Sequence, residues 1–169
     1  MRRAALLPIA LLLPLAACDS SPGTSISIKS DDKGGNTIAG MDGATGQVSI
    51  DTPGFKGNFT LPKIHLDAGD FDMNGVHLYP GSKISGMNVD AHDSPGKDKD
   101  SGVATVKFES PANPETVRAW FEEKLGKADF KLHREGTGLI GKTDEDKPFR
   151  LDLAPAGTDH AQGTITISG

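Results

Sequence analysis

The chain of 169 residues holds a single cysteine, Cys18, so no disulfide can form within it. An exported protein without disulfides is held together by its core alone. That core is short of large side chains: aromatics make up 5% of the residues, against 21 glycines and 11 prolines. A thin core and many turns follow. Basic charge is scarce too, with 18 Lys+Arg against 23 Asp+Glu. Nucleic-acid binding needs a basic footprint, so no nucleic-acid partner is expected. A spanning helix is also missing. The longest apolar run, Ala4 to Ala17, is about 14 residues and contains Pro8 and Pro14, against the roughly 20 that hydrocarbon requires. Hydrolase signatures are absent: no G-x-S-x-G occurs, and there is no phosphate-binding loop.

What is present begins at the N-terminus. Arg2 and Arg3 precede the apolar run, which ends at Leu15-Ala16-Ala17-Cys18. A charged start, a short apolar centre and small residues before a cut site are the parts of a secretory signal. With cysteine placed after the cut, these four residues resemble the lipobox of bacterial lipoproteins. The resemblance implies a diacylglycerol on the Cys18 thiol, cleavage before Cys18, and acylation, palmitate included, of the new amino group. It implies no other cofactor. Two or more acyl chains hold a protein on a membrane without a spanning helix, so the chain is expected in the bacterial cell envelope, on the membrane and facing the periplasm. Asp19 resembles the enterobacterial signal for the inner membrane. Removing residues 1–17 takes away Arg2 and Arg3, leaving 16 basic and 23 acidic residues, a net charge of −7. An acidic surface is not drawn to anionic lipid, so the acyl chains do the anchoring.

The mature chain divides by composition. Residues 1–17 read as the signal peptide and 18–45 as the lipidated cysteine with a flexible tether. Asp19-Ser20-Ser21-Pro22-Gly23, Asp31-Asp32-Lys33-Gly34-Gly35-Asn36 and Gly40-Met41-Asp42-Gly43 have linker chemistry. Within it, Ser25-Ile26-Ser27-Ile28-Lys29 alternates and reads as a strand or a disordered piece. Residues 46–90 are β-rich. Val48 and Ile50, Phe59 and Leu61, Ile64 and Leu66, Phe71 and Met73, Val76 and Leu78 each alternate with polar neighbours. Asn74-Gly75 is a two-residue hairpin turn. A short-strand β-meander or small β-solenoid is expected, similar to the single-sheet repeat segments of bacterial envelope proteins. Residues 91–101 alternate in charge around Pro95 and Gly96 and read as a linker at a domain boundary.

Residues 102–169 read as a small α+β domain. Ala104, Val106 and Phe108 alternate in a strand. Asn113 suits a helix N-cap, Pro114 its first position and Glu115 its first turn. Val117, Trp120, Phe121 and Leu125 share one helix face, and Gly126 is the expected stop. Four further strands follow, around Phe130 and Leu132, over Gly138 to Thr143, at Phe149, Leu151 and Leu153, and at Ile165 and Ile167. The order is β-α-β-β-β-β, one helix on a mostly antiparallel sheet. The whole is a β-rich α+β protein.

Candidate chemistry is sparse. Among His65, His77, His92, His133 and His160 no pair has helical metal-ligand spacing. His65 and Asp67 lie two apart and share a face on a strand, so a divalent metal held by His65, Asp67 and His77 is one alternative, in a small periplasmic metal-binding protein or enzyme. Asp90-Ala91-His92-Asp93 mixes ligands on the linker, and Asp67, Gly69, Asp70 and Asp72 resemble part of a calcium loop without its helices or its Glu. Gly136-Thr137-Gly138 and Leu139-Ile140-Gly141 are glycine-rich, but no helix follows and they read as a strand with bulges. Trp120 and Phe121 read as core anchors of the helix, or as a surface for an envelope protein partner. The leading expectation is a non-enzymatic interaction or structural module, with no catalytic residue.

Overall fold

In the computed structural model, alternation of apolar and polar residues is realised as strands over most of the chain. It describes residues 23–30, 36–52, 54–91 and 102–169. The signal segment 1–17, Cys18, Asp19 and linker residues 92–101, with His92, lie outside the described residues. The first strands are β1 (Ser25–Ser30), β2 (Asn36–Met41), β3 (Gln47–Thr52), β4 (Phe55–Thr60), β5 (Leu66–Asp67) and β6 (Lys83–Ala91). Then come β7 (Gly102–Ser110), the helix α1 (Pro114–Lys127), β8 (Lys131–Glu135), β9 (Gly138–Lys142), β10 (Pro148–Pro155) and β11 (Ala161–Ser168). All strands join one sheet, in the order β4-β3-β2-β1-β6-β7-β11-β10-β9-β8, with the short β5 pairing beside β6. Among the described residues the strands pair antiparallel, except β1 with β6, which pair parallel. The protein is α+β and rich in strand.

Residues 102–169 form the expected β-α-β-β-β-β order. The helix starts where the sequence places it: Asn113 Oδ1 accepts from the Thr116 N–H at 2.9 Å, with Pro114 next in the chain. Val117, Phe121 and Leu125 are wholly buried on the face turned to the sheet. Gly126 does not end the helix. The chain stays helical through Lys127, the Ala128 N–H closes onto Leu125 O at 3.0 Å, and Asp129 takes the left-handed conformation at φ 64°. The last-turn lysines, Lys124 and Lys127, complement the helix dipole there.

The core lies between α1 and the sheet. Phe108 and Phe121 meet at 5.9 Å between ring centroids, and Phe130 and Phe149 meet edge to face at 5.6 Å. Gly163 stands opposite Phe108 on β11, and a Cβ there would run into the Phe108 ring. The core is not confined to 102–169. Met73, Val76, Leu78 and Ile84 are buried in the same cluster.

Three expectations change. Ser25–Ser30 and Asn36–Met41, assigned by composition to the tether, are strands. Their backbone groups are paired in the ladders with β2, β3 and β6, partners up to 61 residues distant that local composition does not reveal. No strand crosses 71–82. This stretch carries only the Met73–Val76 bridge, closed by a two-residue turn with Asn74 at φ 52° and Gly75 at φ 78°. It folds over the sheet, so its alternating apolar residues enter the core as loop residues. Finally, β6 and β7 pair across the expected boundary at 91–101, from Lys83 with Glu109 to Ala91 with Gly102. The sheet is continuous through it, and the segment 46–90 contributes to a meander that begins at β1 rather than forming a solenoid.

Phe121→Ala is expected to destabilise the protein by about 3–5 kcal/mol, the range for removing a buried aromatic. Trp120→Ala is expected to cost clearly less, because Trp120 packs on the core only in part. Equilibrium urea unfolding of both variants checks the order.

Candidate functional site

Residues directly opposite one another in paired strands point to the same side of a sheet. Register therefore sorts the two faces. Val106 and Phe108 of β7 face the helix, and so do Met87 of β6, Ile26 of β1, Met41 of β2, Val48 of β3 and Phe59 of β4. The opposite face is polar. One row crosses it as Ser49, Gly40, Ser27, Asn88 and Thr105, from β3 to β7. A second row runs through Ser25, Gly86 and Lys107.

An open groove of about 640 Å³ lies on this polar side. Its floor is low because Gly40 and Gly86 carry no side chain and Ser25 and Ser27 only short ones. Gln47, Ser49 and Asp42 form one wall, Asn88, Thr105 and Lys107 the other. A bulge shapes it further. The register between β6 and β7 shifts between Ile84 and Gly86, which frees Ser85 from the pairing and adds it to the lining.

Beside Ile26, Met41 and Met87, the lining offers hydroxyls and amides, with one cation and one carboxylate. Such a surface gives and accepts hydrogen bonds along an extended polar ligand. The residues named as lining it include no histidine, so its serines have no imidazole base beside them. Asp42 is held by the turn it starts. Its Oδ1 accepts from the Ala44 and Thr45 N–H groups, each at 2.8 Å. The bonds from Thr45, backbone first and side chain second, hold the Asp42 carboxyl below the usual carboxylate value. Ala44 adds to this, and slight desolvation opposes it. The Glu122 carboxyl is likewise lowered, first by the hydrogen bonds from Arg134, which approaches to 2.7 Å. That pair ties α1 to β8, away from the groove.

The structure does not gather the residues singled out for metal. Among the described residues, no three His, Cys, Asp or Glu side chains converge in a metal-binding group. His65 precedes the two-residue strand β5, while His77 follows the Met73–Val76 bridge. The His77 ring contacts Phe71 O at 3.0 Å through Nδ1 and stands 3.7 Å from Asp72 through Nε2. The carboxylates nearby serve the backbone: Asp70 accepts from the Asp67 N–H at 2.7 Å and Asp72 from the Gly75 N–H at 3.1 Å.

Phe121 is fully buried and offers no surface to a partner. Trp120 is half-buried, with Tyr79 at its edge 5.7 Å away and Lys124 Nζ 4.8 Å from its ring centroid. Its indole N–H is buried without a hydrogen-bond partner. Sequence reasoning missed the groove. Its one local trace is the small polar residues that alternate with isoleucine in Ser25-Ile26-Ser27-Ile28 and with Val48 and Ile50 in β3. Which strands lie side by side cannot be read from either stretch.

Comparison with protein-family models, curated proteins and solved structures finds no match. No described helix is long and apolar enough to cross a membrane.

The Asp42 carboxyl is expected to titrate below ordinary aspartates in carbon-13 NMR. Because its folded pKa is lowered, its contribution to stability is present above the unfolded value and is lost as pH falls through the folded one. The groove's acidic wall thus stays charged throughout the neutral range. In Thr45→Ala, which removes the hydroxyl, the Asp42 midpoint is expected to move upward.

Proposed function

We propose that the chain is a membrane-anchored envelope lipoprotein, a non-enzymatic module that presents its polar groove to a partner in the envelope. The observation that carries this reading is Leu15-Ala16-Ala17-Cys18, an apolar run ending in small residues at the one cysteine of the chain. Acyl chains on Cys18 hold the mature protein to the membrane, each buried CH₂ adding about 0.8 kcal/mol. With Asp19 at the next position, the inner membrane is the proposed site, and the folded part faces the periplasm. A groove lined by hydroxyls and amides supports recognition of a polar chain, of the kind an envelope protein exposes along an extended segment. Recognition rather than turnover is further supported by the lining itself, which pairs no nucleophile with a base.

Fatty-acid labelling tests the anchor. The wild-type protein is expected to take up label and stay with membranes at high salt, since salt screens charge but leaves acyl burial in place. Cys18→Ser removes the thiol that receives the lipid, and label incorporation is expected to vanish. Replacing residues 1–18 with an ordinary secretory signal is expected to release the folded part in soluble form. An unlabelled, soluble wild type would sink the proposal. The groove is tested separately by Ser49→Trp, an exposed position on its wall. That variant is expected to keep label and thermal stability while in vivo crosslinking to its envelope partner falls.

A further inference from the structure

The large apolar side chains left exposed among the described residues gather in one half of the sheet. Phe55, Phe59, Leu61 and Ile64 lie on β4 and the stretch after it, with exposures of 57%, 46%, 38% and 37%. Ile28 and Val89, also exposed, oppose each other in β1 and β6. None of the six lies in residues 102–169. Register puts Ile28 and Val89 on the helix-side face, along with Phe59 through Val48, Met41 and Ile26. Phe55 follows by alternation along β4, and its ring lies over Gly57. No described helix covers this half: α1 packs on β8, β9, β10 and β11. An uncovered apolar face of this kind marks a contact with a protein or a membrane.

The same region is where the chain enters the fold. Thr24 is buried, its N–H donates to Ile64 O at 2.8 Å, and its hydroxyl oxygen accepts from the Leu66 N–H at 3.1 Å. Gly23 is fixed in turn, its N–H donating to Gly43 O at 3.0 Å. Thr24 is six residues from Cys18. At most about 3.6 Å per residue, that length reaches roughly 20 Å. An acyl anchor at Cys18 therefore confines Ile64 and its neighbours to the first layers above the lipid headgroups.

We infer that this apolar face, led by Phe55, Phe59 and Leu61, rests on the bilayer that holds the acyl chains. The inference depends on the proposed lipidation of Cys18. The occupant is a lipid surface rather than a second copy because the short connection supplies it at high effective concentration, so a contact too weak to hold alone is populated. The contact is apolar and not electrostatic, since the mature chain carries a net charge of −7. Lys63, exposed between Leu61 and Ile64, keeps its ammonium among the headgroups while its stem lies along the apolar surface. Docking this face turns the groove, on the other side of the same strands, away from the membrane and toward a partner.

Adjacent residues of β4 point to opposite faces, which gives the test its control. Phe59→Cys and Asn58→Cys, each made in the full acylated protein, carry an environment-sensitive fluorophore and are reconstituted in neutral phosphatidylcholine vesicles with brominated acyl chains. Fatty-acid labelling and flotation confirm the anchor in both. The label at position 59 is expected to be quenched several-fold more than that at 58, at low and high salt alike. Equal quenching in acylated, floating protein overturns the docking and leaves the anchor standing. A position-59 label that is shielded but not quenched by lipid, in a species of doubled mass, assigns the face to a second copy and also overturns it. A protein that carries no acyl chain overturns the anchor and this inference together.

Discussion

One helix has to cover a sheet ten strands wide, and it is too short to do so. Fourteen residues at 1.5 Å each make α1 about 21 Å long. Ten strands side by side, at about 4.8 Å, span roughly 43 Å. The helix therefore protects β8 to β11 and reaches β7 through Phe121 on Phe108. The middle of the same face is covered by a different device: the chain between β4 and β6 folds back and sets Met73, Val76 and Leu78 into the core. Nothing described covers β2, β3 and β4. Met41 of β2 is buried, but the inward residues Val48 and Ile50 of β3 are half-buried and Phe55 and Phe59 of β4 are exposed.

Among the described residues nothing covers the other face, and its chemistry is adjusted to that. Antiparallel sheets carry water on one side when the alternating residues there are polar. Here those residues are serine, threonine, asparagine and glutamine, with ion pairs such as Arg150 with Asp152 at 2.8 Å and with Glu135 at 3.0 Å toward the β8 edge. These exposed pairs contribute little to stability, because water screens them. They keep the surface wet. The groove appears where side chains are shortest, at Gly40 and Gly86 beside Ser25 and Ser27. One sheet thus gives two unlike surfaces, a polar trough and an apolar plate, from the same alternation.

The two halves of the chain depend on each other. A unit of 68 residues buries a smaller fraction of its surface than a larger domain and is marginal alone. Residues 102–169 are completed by Met73, Val76, Leu78 and Ile84, which close the core from the other half. In return, β7 gives β6 a partner along its length, and β6 gives one to β1. Thr24 fastens the start of this arrangement, its hydroxyl hydrogen donated to Ile84 O at 2.5 Å. Ser82 and Ser110 are buried beside these elements with hydroxyls that have no partner.

The sequence by itself determined the local elements whose signals are local. Asn113 and Pro114 start the helix, Asn74-Gly75 makes its turn through two residues of positive φ, and alternation at Ala104, Val106 and Phe108 or at Phe149, Leu151 and Leu153 makes strands. The order β-α-β-β-β-β follows from these, because each depends on neighbours within a few residues. Only the tertiary structure decided the rest. Ser25–Ser30 has too little apolar surface to order alone, and becomes a strand because β6 and β2 satisfy both of its edges. The apolar pairs of 71–78 alternate as strands do, yet lie in a loop, because burial rewards the side chain and not the ladder. The site is decided in the same way. Ser27, Gly40, Ser49, Asn88 and Thr105 are scattered along the chain and are neighbours only through the register of five strands. Periodicity tells which way a residue points along its own strand, but not which strand lies beside it, since that choice is made by long-range pairing.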